Sequence, residues 1–87
     1  MKPNIIVIKK NDNVAVCLED IKKGGTIFPP GGADFISFSD IPYSHKVALR
    51  DISEGESILK YGEIIGHAST PIRKGEWVHT HNLIIQE

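Results

Sequence analysis

Cysteine, tryptophan and methionine are nearly missing from this sequence, with one of each among 87 residues. The single cysteine, Cys17, excludes an intrachain disulfide and fits a reducing compartment. It sits inside the apolar run Val14-Ala15-Val16-Cys17-Leu18, so it reads as a buried small hydrophobe rather than a nucleophile. Charge of either sign is not in excess: the net charge is −1. A grip on phosphates is therefore lacking, which disfavours nucleic-acid binding. Long hydrophobic runs are absent too. The longest N-terminal one, Ile5-Ile6-Val7-Ile8, is too short for a signal-peptide core or a membrane span, so a cytoplasmic protein without a membrane partner is expected. No window keeps a helical period, because glycines and prolines interrupt each candidate; at most a turn of helix is expected near Asp20 to Lys23 or Asp51 to Glu54. There is no Gly-Lys phosphate loop, no Cys-x-x-Cys, no paired-histidine zinc helix and no nucleophile elbow.

What is present is a set of short β-type segments. Ile5 to Ile8, Val14 to Leu18 and Phe35 to Phe38 read as strands, with the turn cluster Asn11-Asp12-Asn13 between the first two. Another strand runs through Val47-Ala48-Leu49-Arg50-Asp51-Ile52, with His45 sharing the parity of Val47 and Leu49. Tyr61 to Ala68 is bounded by glycines. Phe28-Pro29-Pro30-Gly31-Gly32-Ala33-Asp34 cannot continue a sheet ladder and reads as a plain connection between two halves of the domain, rather than a flap. Through these segments runs a repeat: Asp20-Ile21-x-x-Gly24-x-x-Ile27, Asp51-Ile52-x-x-Gly55-x-x-Ile58 and Pro71-Ile72-x-x-Gly75-x-x-Val78. Each copy has an apolar anchor, a glycine turn and an apolar strand start. The spacings are unequal, so the pattern is not a solenoid. It implies one compact all-β domain over residues 1–87. Such a chain buries only about 60–65% of its unfolded surface, and this favours a partner or a homo-oligomer.

Chemistry concentrates near the C-terminus, in Gly75-Glu76-Trp77-Val78-His79-Thr80-His81-Asn82-Leu83. Read as one extended strand, it puts Trp77, His79, His81 and Leu83 on one side, with the two histidines roughly 6.5–7 Å apart at the backbone. That arrangement suits two ligands for one metal or two donors for one anion. A His-x-His pair is incomplete alone, since catalytic metal sites commonly use three protein ligands and an open position; the bland alternative is a solvated edge strand. Ser44-His45-Lys46 could hold a carboxylate or move a proton near neutral pH, or be a polar strand end. Tyr61-Gly62-Glu63 is a turn with a phenol and a carboxylate, or an ordinary turn. Glu54, Glu56 and Lys60 read as a solvated face, and Trp77 as core or interface.

Three ordered motifs carry a family resemblance: Asp40-Ile41-Pro42-x-x-His45-Lys46-Val47-Ala48-Leu49-Arg50-Asp51-Ile52-x-x-Gly55, then Lys60-Tyr61-Gly62-x-x-Ile65-Gly66-x-Ala68, then Ile72-x-x-Gly75-x-x-Val78-His79-x-His81-Asn82. The chain resembles the N-terminal domain of altronate and galactarate dehydratases, and equally the small subunit of sulfolactate sulfo-lyases. One departure is Ser44, where the family often has glycine before His-Lys. The resemblance implies a SAF domain with a β-clip fold, acting beside a large catalytic subunit or C-terminal domain. It implies a carbon-oxygen hydro-lyase, or a sulfo-lyase, that eliminates water or sulfite from a sugar acid or other 2-hydroxy acid with a divalent metal, typically iron(II). Carried onto this sequence, it marks His45, Lys46, His79 and His81 as catalytic positions, with His79 and His81 as metal ligands, and Tyr61, Gly62 and Asn82 as substrate contacts. The alternative is a non-catalytic module that binds a sugar acid or assembles subunits.

Overall fold

A computed structural model describes residues 2–85. The described residues contain nine strands and no helix: β1 (Ile5–Ile6), β2 (Val14–Cys17), β3 (Thr26–Ile27), β4 (Phe35–Ile36), β5 (Lys46–Ala48), β6 (Ser57–Lys60), β7 (Glu63–Ala68), β8 (Trp77–Val78) and β9 (Leu83–Ile85). The all-β expectation holds. No helix is long and apolar enough to cross a membrane among these residues. The strands form an antiparallel sheet in the order β1-β2-β5-β8, a second sheet β6-β7-β9, and the hairpin β3-β4.

The repeat explains how such short strands are held. Ile21 and Ile41 exchange backbone hydrogen bonds of 2.9 and 2.7 Å, and Ile52 and Ile72 exchange two of 2.8 Å. Ile41 belongs to a fourth copy, Ile41-x-x-Ser44-x-x-Val47, hidden in the sequence because serine stands where the other copies have glycine. After each anchor comes a four-residue turn closed by an N–H to C=O bond: Gly25 to Lys22, His45 to Pro42, Glu56 to Ser53 and Glu76 to Arg73. The third turn residue has positive φ in all four, at 85° for Gly24, 69° for Ser44, 83° for Gly55 and 93° for Gly75. This is the type II signature, which glycine adopts freely and serine only with strain. These turns occupy the two places where a helical turn was expected.

Side-chain alternation splits the core between the two faces of the central sheet. On one face Ile5, Ala15, Cys17, Ile21, Ile27, Ile41 and Val47 pack together; on the other, Val14, Ala48, Ile52, Ile58, Ala68, Ile72, Val78 and Leu83 do. Each core is thus centred on one anchor pair. Each fully buried isoleucine contributes roughly 1.5–3 kcal/mol. Cys17 is wholly buried, and burial, followed by the nearby Glu19 charge, pushes its thiol up to about 12, so it is inert packing.

Three buried asparagines clasp the strands that leave the turns. Asn4 donates to Thr26 C=O and accepts from Phe28 N–H around Ile27. Asn13 does the same with Ser57 and Leu59 around Ile58. Asn82 does it with Trp77 and His79 around Val78. A carboxamide matches a peptide unit in donors and acceptors, so each substitutes for a missing neighbouring strand. The fourth strand of the set, β5, is flanked by β2 and β8 on its two sides and has peptide partners instead.

Several boundaries differ from the sequence reading. The apolar run Ile5 to Ile8 pairs only through Ile6, the strand at Phe35 ends at Ile36, and the one read from Val47 to Ile52 ends at Ala48. Residues 28–34 join β3 to β4, which pair with each other, so the segment is a hairpin loop and not a link between halves. The face read as Glu54, Glu56 and Lys60 is not uniformly solvated: Glu56 is half-buried, accepts from Ser53 N–H at 3.0 Å and pairs with Arg50 at 2.6 Å.

Candidate functional site

The largest correction concerns the histidine stretch. It is not one strand: β8 ends at Val78, residues 79–82 bend and turn, and β9 starts at Leu83. Asn82 causes this. Its Oδ1 accepts the His79 N–H at 2.9 Å, and its own N–H donates to His79 C=O at 3.1 Å, closing a tight turn in which asparagine is favoured. His79 and His81 therefore leave the sheet at its end instead of alternating along it.

Trp77 gathers the site. The β5–β8 register pairs Lys46 with Val78 and Val47 with Trp77; continued outward, it sets His45 across from His79. The Trp77 indole N–H donates to His45 Nδ1 at 3.2 Å. The His79 ring stacks on the indole at 5.2 Å and 7°, and the His81 ring lies 5.3 Å from it, tilted by 47°. His45 and His79 rings are 5.0 Å apart. Trp77 was read as core or interface, and its half-buried ring does pack against the first core. Its role as the hub was missed. No local pattern signals it: the pairing runs through the copy of the repeat in which Ser44 replaces glycine.

Lys46 stands at the start of β5, half-buried. Burial, then the charge of Lys60, lowers its pKa and moves it toward the neutral amine. His79 is lowered as well, by desolvation first and then by the charges of His45, Lys46 and His81, which favours its neutral imidazole. The surface brings an amine and three imidazoles together, which suits an anionic ligand and proton movement.

The remaining expected residues lie elsewhere or serve the fold. Asn82 is buried, with its carboxamide turned onto the β8 backbone, and so positions His79. Tyr61 and Gly62, with φ of 58° and 77°, form the tight β6–β7 hairpin turn. Their N–H groups donate to the Asp12 carboxylate at 3.0 and 2.8 Å, while the exposed Tyr61 ring carries Lys60 Nζ at 4.8 Å. No group of three or more His, Cys, Asp or Glu side chains among the described residues is arranged to hold a metal ion. A metal at His79 and His81 would need further ligands beyond these two.

Fold and site together define a small all-β module that offers a histidine–lysine surface at one end of its central sheet. The sequence profile of the altronate/galactarate dehydratase SAF domain matches residues 3–86. The chain is 46% identical over 79 residues to altronate dehydratase of Bacillus subtilis, covering 91% of this chain and 16% of that protein. It is 39% identical over 83 residues to galactarate dehydratase (L-threo-forming) of Escherichia coli, covering 94% and 15%. It is 49% identical over 43 residues to the (2R)-sulfolactate sulfo-lyase subunit alpha of Chromohalobacter salexigens, covering 49% and 46%. The chain belongs to the altronate/galactarate dehydratase SAF domain family. It spans about one sixth of the length of these two dehydratases.

Proposed function

We propose that this chain contributes His45, Lys46, His79 and His81 to the active site of a sugar-acid dehydratase or related lyase, completed by a large partner subunit or domain. The observation that carries this is the convergence of three histidines on Trp77, beside Lys46, at one end of the central sheet. Relatives named as dehydratases and as a lyase subunit, most of whose length lies outside this match in the dehydratases, support it. The substrate class is a 2-hydroxy acid, whose carboxylate the lysine and imidazole donors would receive. A base takes the α-proton while the hydroxyl or sulfite leaves. A divalent metal, iron(II) in the first instance, would polarise the carboxylate or leaving group, with His79 and His81 as this chain's contribution to its ligands. The test is affinity capture of the tagged chain from its native extract, followed by elimination assays on 2-hydroxy acids with and without added iron. A large partner with elimination activity supports the reading; a chain recovered alone and inactive supports a binding or assembly module instead.

A further inference from the structure

We infer that Trp77 is a positioning residue that fixes His45 as one neutral tautomer, with Nδ1 bare and the proton on Nε2. This rests on the reading above and adds a role for one member of its site: His45 serves as a hydrogen-bond donor to the ligand, and the base is another group.

The geometry leads there in three steps. The indole N–H is a donor only, so the atom it meets must accept; that atom is His45 Nδ1, at 3.2 Å. A neutral imidazole with Nδ1 accepting must carry its proton on Nε2, the nitrogen on the far side of the ring from Nδ1. The main chain that carries the ring is held: His45 N–H donates to Pro42 C=O at 3.1 Å, and His45 C=O accepts from Cys17 N–H at 2.9 Å. The His79 ring lies 5.0 Å from the His45 ring, Lys46 is the next residue in the chain, and His81 lies on the same indole.

Trp77 is the chain's only tryptophan, which makes the test clean. The first readout is the ¹⁵N shift pair of the His45 ring in the 87-residue chain at pH 7.5. A single Nε2–H tautomer is expected, becoming a mixture in Trp77→Phe, which keeps a stacking ring for His79 and His81 but has no N–H. Where Trp77→Phe fails to fold, replacing the tryptophan biosynthetically by its benzothienyl isostere removes the same N–H. The second readout is the assembled enzyme, where Trp77→Phe should lower kcat at least fivefold with KM changed less than twofold. A wild-type His45 carrying its proton on Nδ1, or averaging both forms, would overturn the inference whatever the activity. Unchanged kcat in Trp77→Phe, alongside a large loss in His79→Ala, would overturn the positioning role alone. Unchanged kcat in both would overturn the proposed active site as well.

Discussion

The two anchor pairs use one design to different ends. Around Ile21 and Ile41 the turns are capped reciprocally: Asp40 accepts from Lys23 N–H and Asp20 from Tyr43 N–H, both at 2.8 Å. Around Ile52 and Ile72 only one such cap exists, Asp51 to Lys74 N–H at 2.9 Å, since Pro71 has no carboxylate to return. Glutamates compensate within their own turns, Glu56 on Ser53 N–H and Glu76 on Arg73 N–H. The hollow between the first two turns is lined by Asp20, Ile21, Lys22, Asp40, Ile41 and Pro42 and contains no histidine. The chemistry-bearing side chains appear where a copy from each pair feeds the adjoining strands β5 and β8. The comparison teaches that the repeat builds the frame, while its irregular positions, Ser44 and His45 in one copy and Trp77 in another, build the site.

Substitutions in the frame and at its irregular positions should differ in their effects. The largest effect is expected at Gly75. A Cβ there would collide with the Ile36 carbonyl oxygen and press on Phe38, at a φ of 93°. Gly75→Ala should cost on the order of 3 kcal/mol or more. Gly24→Ala, at a φ of 85° with open space around it, should cost about 1–2 kcal/mol from backbone strain alone. Urea unfolding of both variants decides whether the Gly75 turn is as crowded as described; equal costs would refute the crowding.

Next come the asparagine clasps. Asn13→Ala leaves Leu59 N–H and Ser57 C=O without their side-chain partner in a buried setting, and should cost about 2–4 kcal/mol by the same measurement. Asn82→Ala should cost less, because the turn it holds is more exposed, yet it should disturb the His79 ring resonances where Asn13→Ala does not.

Smaller again is an acid-side effect. The Asp12 carboxyl is raised by burial but lowered more by the N–H groups of Gly62, Lys9 and Tyr61 and by the Lys9 charge, so its net pKa lies below the ordinary value. A depressed carboxyl stabilises the fold fully above the unfolded value, and that contribution fades as pH falls through the folded one. Asp12→Asn should therefore flatten the loss of stability between pH 5 and pH 3, read as urea midpoints; an unchanged slope would count against the role given to Asp12. The smallest effect is a gain: Ser44→Gly relieves a left-handed serine and should stabilise by roughly 0.5–1 kcal/mol. It also asks whether strain beside His45 matters for function, as strained residues at sites can.

Much of the frame was legible in the sequence because its rule is local. Glycine three residues after an isoleucine and an apolar residue three further on specify a type II turn and a strand start without reference to the rest of the chain. The fourth copy was not legible, since serine conceals a positive φ. The His79–Asn82 turn was missed because alternation favours a strand there, while the decisive force is a side-chain amide closing on the backbone three residues earlier. The histidines were legible as residues of interest from their type and spacing. Their convergence was not, because it depends on the β5–β8 register and on an indole read only as packing.

The most direct test of the account is turnover of the assembled enzyme with His79→Ala and His81→Ala, measured beside Gly24→Ala at the other end of the repeat. The account predicts more than tenfold loss of kcat in each histidine variant, with the complex still forming and Gly24→Ala retaining near-normal turnover. Less than tenfold loss in both histidine variants, within an intact complex, would contradict it.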